Sequence, residues 1–426
     1  MNTGRSIALI DVNNFYASCE RVFNPKLAGI PLAILSNNDG CVIARSAELK
    51  AMGIKMGMPW FQLKENAERE GIMAMSSNYA LYQDMSNRVM EIIGQFAPFQ
   101  EVYSIDESFL DLSGQRRCHT DIALDLRARI KQFTGLPVCV GMGPSKTLAK
   151  LANHVAKKQS QYGGALDLHE LSPTALEDLL SSIECRDIWG IGSRLAPRLQ
   201  ELGISNALQL RQADPEFIRQ QFSVVMQKTV LELQGQACIE LEEVAPPKQE
   251  IISSRSFGTR VQDLQNLEES VSLYMATAAE KLRRQASYAG ALRVFIMTSP
   301  FGDGPKYANS KVISLPSPTD DTRQLIGVAL WLLGKLYRPG FDYLKAGVGL
   351  LEIMPAAGQQ TDMFGFSAGN EKSARLMNTL DAVNRRMGKG KLRLASQGYK
   401  APWAMKQEHK SNSYTTSWNE VVVIKN

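Results

Sequence analysis

The sequence predicts a multidomain α/β chain with a separate four-stranded α+β domain and a basic tail. In the amino-terminal part, strand-like apolar runs that end on acids alternate with helical patterns, which is typical of an α/β sheet with helices on one face. From residue 251, two helical patterns interleave with four strand patterns in the order β-α-β-β-α-β. After residue 370, eleven Lys and Arg residues stand against four Asp and Glu residues. That excess suits nucleic acid or an acidic partner.

The composition indicates a soluble globular protein. The 426 residues are enough for two to four domains, and 44% of them are hydrophobic against 21% charged. No apolar run approaches the roughly 18 residues of a membrane helix, and the start lacks the layout of a signal peptide. The six cysteines form no C-x-x-C pair, and the chain has only four histidines. We therefore expect a reducing cytosol, and neither a zinc site nor a disulfide framework.

The first strand pattern, residues 7–12, carries the carboxylate of Asp11 near its end. Asn13 and Asn14 then open a helical pattern that starts at Phe15. A strand-to-helix turn leaves free backbone N–H groups that can bind an anion. An acid beside such a turn can hold a metal ion that the phosphates of the anion complete. The alternative is that Asp11 or Asn13 only caps the helix.

A small α/β unit follows, with strands predicted over residues 31–35 and 41–44. A short helix from Ser46 closes at Gly53. Arg45 and Lys50 lie around the start of that helix, where they could reach phosphates. The alternative is that both are ordinary solvated side chains.

An amphipathic helix over residues 79–96 leads to the stretch Ser104-Ile105-Asp106-Glu107. Its two adjacent acids lie between apolar residues, and a buried carboxylate needs a partner or a metal ion. Ser104 and Glu107 have the spacing of a capping box, which predicts a helix start. The alternation that begins at Phe109 predicts a strand instead. The stretch by itself leaves both interpretations open.

A glycine-rich turn over residues 141–147 invites comparison with a P-loop. Val140 and Ser145 stand where G-x-x-x-x-G-K-S/T requires glycine, so we exclude that motif. The helix that follows, residues 148–158, could neutralise a polyphosphate with the lysines in and just before it. These are Lys146, Lys150, Lys157 and Lys158.

Gly190-Ile191-Gly192 lies between two short helical patterns. This arrangement predicts a helix-hairpin-helix, whose backbone N–H groups can bind a DNA phosphate without reading sequence. A plain tight turn between packed helices is the alternative. Helical segments continue to about Gly235, and Pro246-Pro247 indicate a linker.

Beyond the linker, strands are predicted over residues 251–257, 292–298, 311–315 and 346–353, with helices over residues 267–285 and 323–337. Met363 and Phe364 form an apolar pair in the loop-like stretch of residues 355–370. That pair predicts a peptide that docks in a pocket of a partner. A further helix is predicted over residues 372–387.

Taken in chain order, these motifs resemble those of the Y-family translesion DNA polymerases. The resemblance rests on Asp11 with Phe15-Tyr16, on Ser104 to Glu107, on the Lys146 helix, on Gly190-Ile191-Gly192 and on the four-stranded domain. Residues 36–45 and 76–79 look like the UmuC branch, which provides the catalytic subunit of bacterial DNA polymerase V. The similarity covers essentially the whole chain.

The resemblance implies a right-hand-like palm, fingers and thumb with a separate little finger. The palm would comprise residues 1–23 and 79–168, the fingers residues 24–78, and the thumb residues 169–240 with the helix-hairpin-helix. A linker of residues 241–250 would lead to the little finger, residues 251–354. Residues 355–370 would form a clamp-binding linker and residues 371–426 a partner-binding tail.

The resemblance also implies an active site that adds dNTPs to a primer 3′ end opposite damaged template. Asp11 and Asp106 would ligate two Mg²⁺ ions with help from the carbonyl of Val12, and Glu107 would complete the site beside the primer terminus. Tyr16 would be the steric gate that leaves no room for a 2′ hydroxyl. A core tyrosine is the alternative.

The incoming dNTP would meet a set of residues that lie around the first helix and the basic positions already named. They are Asn13, Asn14, Phe15, Tyr16, Arg45, Lys50 and Lys157. Asn13 to Phe15 would lend backbone N–H groups to the triphosphate. The chain departs from the wider family at Ala47, where many members have tyrosine, and at Lys50, where many have arginine. Lysine is a less bidentate partner than arginine.

The resemblance implies several macromolecular partners in the cytoplasm and no membrane. Primer-template DNA would contact Gly190, Ile191, Gly192 and Arg255. Gln360, Met363 and Phe364 resemble a sliding-clamp-binding peptide in which Thr361 replaces the usual leucine. The basic tail would engage a UmuD′-like dimer and RecA.

Two other classes of function compete with a polymerase. A non-catalytic scaffold could use the same fold to bridge DNA, clamp and repair proteins, but intact Asp11, Asp106 and Glu107 argue against it. A palm-fold nucleotidyl cyclase would share acids at strand ends, yet it needs no DNA grip such as Gly190-Ile191-Gly192. Primer extension with Mg²⁺ separates all three.

Overall fold

The computed structural model of the chain describes residues 4–244, 246–356 and 370–421. The chain divides into two compact units. The first comprises residues 1–36, 40–245 and 409–426, and the second comprises residues 37–39 and 246–408. The division at residues 245–246 falls inside the segment predicted as a linker. Residues 37–39, expected in the fingers, belong to the second unit instead.

The first unit starts with mixed strands and helices and continues with helices. Its described strands are β1 (Ile7–Val12), β2 (Leu32–Leu35), β3 (Val42–Arg45), β4 (Met73–Ser76), β5 (Gln100–Val102), β6 (Glu107–Asp111), β7 (Val138–Gly143) and β8 (Ala165–Asp167). Its described helices are α1 (Phe15–Phe23), α2 (Ala47–Ala51), α3 (Trp60–Ala67), α4 (Tyr79–Ile93), α5 (His119–Thr134), α6 (Lys146–Lys158), α7 (Pro173–Ser181), α8 (Leu195–Glu201), α9 (Ala207–Gln212), α10 (Pro215–Gln221) and α11 (Val224–Leu233).

Within the described residues, the central sheet of the first unit has five strands in the order β5-β6-β1-β7-β8. β1 pairs antiparallel with both β6 and β7, whereas β7 and β8 are parallel. Asp11 lies opposite Glu107 of β6, and Ile7 lies opposite Gly143 of β7. Because Met142 of β7 lies opposite Asp167, the end of β8 is at the starting end of β1.

The side chains of β1 alternate between two apolar cores, as the period of two in a strand requires. Ala8 and Ile10 pack with α4 and α5, whereas Ile7 and Leu9 pack with Ala149 of α6. Helices therefore cover both faces of the sheet. The prediction of helices on one face is wrong, because α6 contributes an apolar stripe of its own.

α6 lies very close to β7. Asn153 of α6 donates from Nδ2 to the carbonyl of Cys139 at 2.8 Å and to that of Leu9 at 3.3 Å. A Cβ at Gly141 would lie 2.0 Å from the backbone nitrogen of Asn153, so any side chain there would push the helix away. The glycine-rich turn therefore serves helix–sheet packing.

Two smaller layers complete the described part of the first unit. A three-stranded sheet in the order β3-β2-β4 packs on α2 and α3, with β2 parallel to β4. Helices α7 to α11 share a core with Leu151 and Val155 of α6. These layers occupy the segments expected to form the fingers and the thumb.

Apolar residues predict a helix from Arg127 to Phe133. α5 begins earlier, at His119, because Ile122, Leu126 and Ile130 form one continuous buried stripe. The stretch before β6 is a turn and not a helix. Among the described helices, none combines the length and the apolarity needed to cross a bilayer.

The second unit, described over residues 37–39, 246–356 and 370–408, contains β9 (Ile251–Val261), α12 (Leu264–Arg284), β10 (Ser287–Thr298), β11 (Ala308–Thr319), α13 (Thr322–Leu336), β12 (Tyr343–Pro355) and α14 (Asn370–Met387). In these residues the antiparallel sheet has the order β11-β10-β12-β9, and α12 and α13 pack on one face. The observed order of elements is the predicted β-α-β-β-α-β. Each strand extends beyond its predicted run, because the prediction followed mainly apolar residues.

The predicted tail is not a single body. α14 is fixed to α12 by Arg283, whose Nε and Nη2 donate to Asp381 at 2.7 and 2.8 Å. Both partners of this bidentate pair are mostly buried. Residues up to Glu408 belong to the second unit, whereas those from His409 onward belong to the first.

Candidate active site

Two acids face each other at one end of the central sheet. Asp11 of β1 is paired in register with Glu107, the first residue of β6. Asp11 has the strand parity of Ile7 and Leu9, so it lies on the face that α6 covers. The side chains of Asp11 and Glu107 are 15% and 20% exposed. Water therefore reaches both carboxylates only in part.

Asp106 lies in the turn that leads into β6. Ser104 Oγ donates to Asp106 Oδ1 at 2.7 Å and accepts from the backbone N–H of Glu107 at 3.0 Å. The backbone N–H of Val12 donates to the carbonyl of Asp106 at 2.9 Å, which ties the turn to the end of β1. The helix-start interpretation of Ser104 and Glu107 is therefore wrong. The serine accepts the N–H as in a helix cap, but the chain continues as a strand.

Two lysines of α6 neutralise the acids on this face. Lys157 Nζ lies 2.5 Å from Asp11 Oδ2, and Lys150 Nζ donates to both carboxylate oxygens of Glu107 at 2.9 Å. Positions 150 and 157 are about two helical turns apart and so share one side of α6. The helix thus presents two ammonium groups to the acids.

The other two lysines of this group have different surroundings. Lys146 is 3% exposed, pairs with Glu101 and donates to the carbonyl of Glu240 at 2.6 Å. Because a buried ammonium group needs such partners, Lys146 is structural and its predicted phosphate role is wrong. Lys158 lies at the surface, 3.3 Å from Asp187.

The acids repel one another in a partly dry environment. The pKa of Asp11 is raised from 3.8 to about 6, mainly by burial, although Lys157 opposes the shift. Like-charge repulsion from Glu107 and Asp106 contributes to this rise. Three carboxylates and the carbonyl of Val12 form an all-oxygen donor set, which suits a hard divalent cation such as Mg²⁺.

A cavity of about 250 Å³ opens beside Asp11 and Glu107, and Trp189 and His154 line it. Lys150 Nζ lies 5.1 Å from the Trp189 ring, within the range of a cation–π interaction. Trp189 and His154 were not predicted to be site residues. No spacing in the sequence connects Trp189 with α6, so only the fold brings them together.

In the turn between β1 and α1, Asn14 has a strained backbone and Asn13 is already hydrogen-bonded. Asn14 has a φ of 50°, in the left-handed region that asparagine tolerates. The backbone N–H of Asn13 donates to the carbonyl of Pro137 at 2.9 Å, and its side chain contacts Cys139 Sγ at 3.2 Å. The predicted contact of the Asn13 N–H with a triphosphate is therefore wrong for this conformation, because the sheet already uses that group.

Lys50, Arg45 and Lys157, which are predicted to bind phosphate, lie near one another beside this turn. Lys50 Nζ donates to Asn14 Oδ1 at 2.5 Å. Burial lowers the pKa of Lys50, and repulsion from Arg45 and Lys157 lowers it further. Arg45 donates from Nη1 to the carbonyl of Ile54 at 2.5 Å. The clustering leaves positive charge next to the acids.

Tyr16 lies among aromatic rings at the start of α1. Its ring stacks on that of Tyr82, with centroids 4.4 Å apart and an angle of 15°. It meets Tyr79 edge-on at 6.1 Å, and burial raises the pKa of its phenol. Because Tyr16 is only half-buried, it is a ring supported from one side rather than a core tyrosine.

The ring that stacks on Tyr16 belongs to Tyr82, whose hydroxyl is hydrogen-bonded to the buried acid Glu20. Tyr82 Oη donates to Glu20 Oε1 at 2.6 Å, and Ser411 Oγ donates to the same oxygen at 3.1 Å. Glu20 is 1% exposed, and burial raises its pKa. Asn78 Nδ2 donates to Ser411 Oγ at 2.9 Å. Part of the predicted tail thus packs next to Tyr82, a contact that no sequence pattern indicated.

Gly190-Ile191-Gly192 forms the turn before α8. The φ of Gly190 is +85°, in the left-handed region that glycine favours. Ile191 is buried, whereas both glycines are exposed. The arrangement fits a hairpin that one apolar residue anchors and whose backbone faces outward.

Arg255 is exposed on the edge strand β9, opposite Ala346. Ala346 belongs to the core under α12 and α13, so Arg255 lies on the helix-covered side of the sheet. The other side carries Arg293, whose guanidinium carbon is 5.7 Å from the Phe295 ring. The DNA contact of Arg255 stays a prediction.

The predicted clamp-binding residues Gln360, Met363 and Phe364 lie outside the described residues, as does Thr361. That prediction rests on the sequence alone.

Family profiles match the chain in four segments. The impB/mucB/samB family matches residues 10–154, and the C-terminal domain of that family matches residues 248–363. The IMS family HHH motif matches residues 173–204, and a domain of unknown function (DUF4113) matches residues 374–424. The first segment contains Asp11, Asp106 and Glu107.

Solved structures and curated relatives agree with these matches. A Y-family DNA polymerase chimera has a TM-score of 0.64 at 24% identity, covering 82% of this chain and 99% of its own. DinB from Sulfolobus solfataricus has a TM-score of 0.52 at 24% identity with the same coverage. Protein UmuC of Salmonella typhimurium is 47% identical over 98% of this chain and 100% of its own length. The chain belongs to the UmuC-type Y-family DNA polymerases.

This UmuC-type chain is a DNA-directed DNA polymerase of the error-prone translesion type. Protein SamB of Salmonella typhimurium is 46% identical over 98% of the chain and 99% of its own length. DNA polymerase IV of Pelotomaculum thermopropionicum is 29% identical over 90% and 92%. The mixed α/β fold with several sheets agrees with the palm, fingers, thumb and little finger of the family.

Proposed function

We propose that this polymerase adds dNTPs to a primer 3′ end by two-metal-ion nucleotidyl transfer at the shared end of β1 and β6. The observation that carries the proposal is the register of Asp11 opposite Glu107, with Asp106 in the adjoining turn. It gathers three carboxylates from two distant parts of the sequence at one sheet end, beside a cavity.

Asp11, Asp106, Glu107 and the carbonyl of Val12 would hold two Mg²⁺ ions. Their all-oxygen chemistry suits this ion, and the raised pKa of Asp11 indicates a carboxylate that a cation would stabilise. Such ions stabilise the attacking and leaving oxygens of an in-line phosphoryl displacement. Asp106 would be shared between both positions, and Glu107 would lie beside the primer terminus.

Lys157 would change partners when a nucleotide arrives. It pairs with Asp11 at 2.5 Å, and a triphosphate offers it a larger negative charge. We infer that Lys157 then contacts the phosphates together with Arg45 and Lys50. Lys150 would stay beside Glu107, because the rings of Tyr103 and Trp189 hold its ammonium group at 4.4 and 5.1 Å.

Tyr16 would act as the steric gate against a 2′ hydroxyl. The stack on Tyr82 supports its ring from behind, so that ring can serve as a fixed wall of the sugar pocket. The backbone N–H groups at the start of α1 would bind the triphosphate through Asn14, Phe15 and Tyr16. Asn13 would contribute by shaping the turn.

The remaining contacts follow from the family and the charge pattern. Primer-template DNA would contact Gly190, Ile191, Gly192 and Arg255. A sliding clamp would take Gln360, Met363 and Phe364, and the basic residues after 370 would engage a UmuD′-like dimer and RecA. We propose that the chain works in the cytoplasm, where these partners are found.

Primer extension by the full chain with Mg²⁺, with and without UmuD′ and RecA, tests the proposal. Asp106→Asn combined with Glu107→Gln should abolish extension. Asp111→Asn, at the far end of β6, is the matched control and should extend primers at nearly the wild-type rate. Anisotropy with labelled primer-template should give similar DNA affinity for all three proteins. Extension by the acid variant at the wild-type rate would refute the assignment, as would a wild type that never extends.

A further inference from the structure

Two histidines and one aspartate meet at the other end of the central sheet. His119 begins α5, Asp167 ends β8, and His169 follows two residues later. Nδ1 of His169 lies 2.7 Å from Oδ1 of Asp167, and Nδ1 of His119 lies 3.4 Å from Oδ2. One candidate ligand atom from each residue lies within 4.8 Å of the other two.

Neighbouring groups fix the three side chains. Asp167 is 3% exposed, and the two imidazoles are 18% and 19% exposed. The backbone N–H of His169 donates to Asp167 Oδ1 at 2.9 Å, and the His169 ring also hydrogen-bonds the backbone of Arg5. Ser6 Oγ lies 3.1 Å from Nδ1 of His119. The backbone N–H that donates to Asp167 is an outer contact of the kind that orients ligands in metal sites, whereas an ion would take the place of Ser6 at Nδ1 of His119.

We propose that His119, Asp167 and His169 bind a divalent transition-metal ion of the Zn²⁺ class. Two imidazole nitrogens with one carboxylate form a ligand set of such ions, whereas Mg²⁺ prefers oxygen alone. Bonds of about 2.0–2.2 Å in a tetrahedral site put ligand atoms roughly 3.3–3.6 Å apart. The separations of 2.7 Å at His169 and 3.4 Å at His119 involve different oxygens of Asp167, so binding requires a small turn of the carboxylate and a small shift of His169.

The open side of the cluster supplies the fourth position. A cavity of about 730 Å³ is lined by all three residues and by Cys118 and Glu170. Three protein ligands and one water complete a tetrahedral ion. A site of this form remains accessible to exchange with solvent.

A purely structural hydrogen-bond network is the competing interpretation. In that network, His169 donates its Nδ1 proton to Asp167. Both imidazoles, however, turn Nδ1 towards one carboxylate, so a single ion can bind where those nitrogens would otherwise hold protons. Binding would then release protons from the imidazoles.

The proposed ion would join two separate segments of the first unit. These are the start of α5, and the end of β8 with the turn that follows it. Ligand binding to the folded state alone raises its stability. The site is at the opposite end of the sheet from Asp11, so the ion would act on stability and not on the reacting groups.

The test uses the untagged full chain and Co²⁺ as the probe, with Mg²⁺ in large excess to fill the oxygen sites. Wild type should bind one equivalent of Co²⁺ with visible tetrahedral absorption that Zn²⁺ removes. His119→Asn with His169→Asn should weaken binding by at least about 10-fold. His409→Asn, which changes a histidine outside the cluster, is the matched control and should bind as wild type does.

Several outcomes would overturn the proposal. These are no Co²⁺ binding by wild type, unchanged binding by the double histidine variant, and loss of binding in Asp106→Asn, which would place the ion at the polymerase site. Circular dichroism shows whether the double variant folds. Anomalous diffraction from wild-type crystals grown with Zn²⁺ decides the question without any variant. One peak within about 2.3 Å of both imidazoles is expected, and its absence contradicts the proposal.

Discussion

The two ends of the central sheet surround the same type of acid with different neighbours. Asp11 faces Lys157 and two other carboxylates, and burial raises its pKa to about 6. Asp167 faces two imidazoles, and although burial opposes the change, hydrogen bonds from His169 lower its pKa. Both aspartates are mostly buried. Burial therefore raises the pKa of both aspartates, and only at Asp167 do the neighbouring hydrogen bonds and charges outweigh it.

This difference separates a site that needs a ligand from one that is satisfied without it. When an acid has a raised pKa in the folded state, its ionisation lowers the stability of the folded protein. Groups with such shifts cluster at functional sites. Asp11 is therefore available to a cation that would relieve the repulsion. Asp167 already has partners in the fold, and an ion there would add to an existing arrangement.

The largest expected effect comes from changing one aspartate at each end of the sheet, which tests whether the two ends have separate functions. Asp11→Asn should lower single-turnover dNTP incorporation by at least about 10³-fold, because it removes a ligand and a charge from the reacting centre. Asp167→Asn should leave incorporation by the folded protein within about twofold. Equal losses in rapid-quench assays would mean that the two ends do not have separate functions.

The acid end also carries Tyr16, the ring proposed to select the sugar. Tyr16→Ala should raise the incorporation of ribonucleotides relative to deoxynucleotides by about 10²-fold, because the wall against the 2′ hydroxyl is lost. Tyr16→Phe keeps the ring and should retain the discrimination. Single-nucleotide insertion kinetics give the ratio, and unchanged selectivity in Tyr16→Ala would remove the gate assignment.

The pH dependence of stability should have opposite signs at the two ends. The raised pKa of Asp11 means that stability is lost as the pH rises from 3.8 through about 6. Without divalent ions, Asp11→Asn should therefore be more stable than wild type by about 2–3 kcal/mol above that range, and equal to it below pH 3.8. The lowered pKa of Asp167 means that its contribution is present above 3.8 and lost in more acid solution. Asp167→Asn should therefore be less stable than wild type at neutral pH.

Urea unfolding at a series of pH values measures these differences. A neutral-pH stability of Asp11→Asn below that of wild type would contradict the electrostatic account of the acid end.

The smallest expected effect concerns two adjacent lysines of α6. Lys157→Ala should raise the KM for dNTP by about 10-fold, because a charge-assisted contact to phosphate is lost. Lys158→Ala, its surface neighbour beside Asp187, should change KM little. Steady-state insertion kinetics separate the two, and similar changes in both would indicate only a general charge effect.

Much of the fold was predictable because the local patterns are strong. The strand before Asp11, the helix after Asn14 and the β-α-β-β-α-β order all follow from apolar periodicity and turn residues. The stretch from Ser104 to Glu107 was not decidable locally, because one serine–amide hydrogen bond serves a helix cap and a turn before a strand alike. The resemblance and the long-range register of Asp11 with Glu107 decide it.

Contacts between distant segments were beyond the sequence analysis. Nothing near Lys146 indicates that it faces Glu101 while Lys157 faces Asp11, because the four lysines look alike along one helix. The count of cysteines and histidines predicted no zinc site. No spacing in the sequence brings His119 to Asp167 and His169, and only the fold places them together.

The central claim is that Asp11, Asp106 and Glu107 hold the ions of the polymerase reaction. Mn²⁺ binding, measured by electron paramagnetic resonance on the full chain with primer-template and a non-reacting dNTP analogue, tests it most directly. Wild type should bind two Mn²⁺ per chain in that complex, and Asp106→Asn with Glu107→Gln should bind fewer than one at the same DNA occupancy. Two ions bound with unchanged affinity in the acid variant would contradict the account.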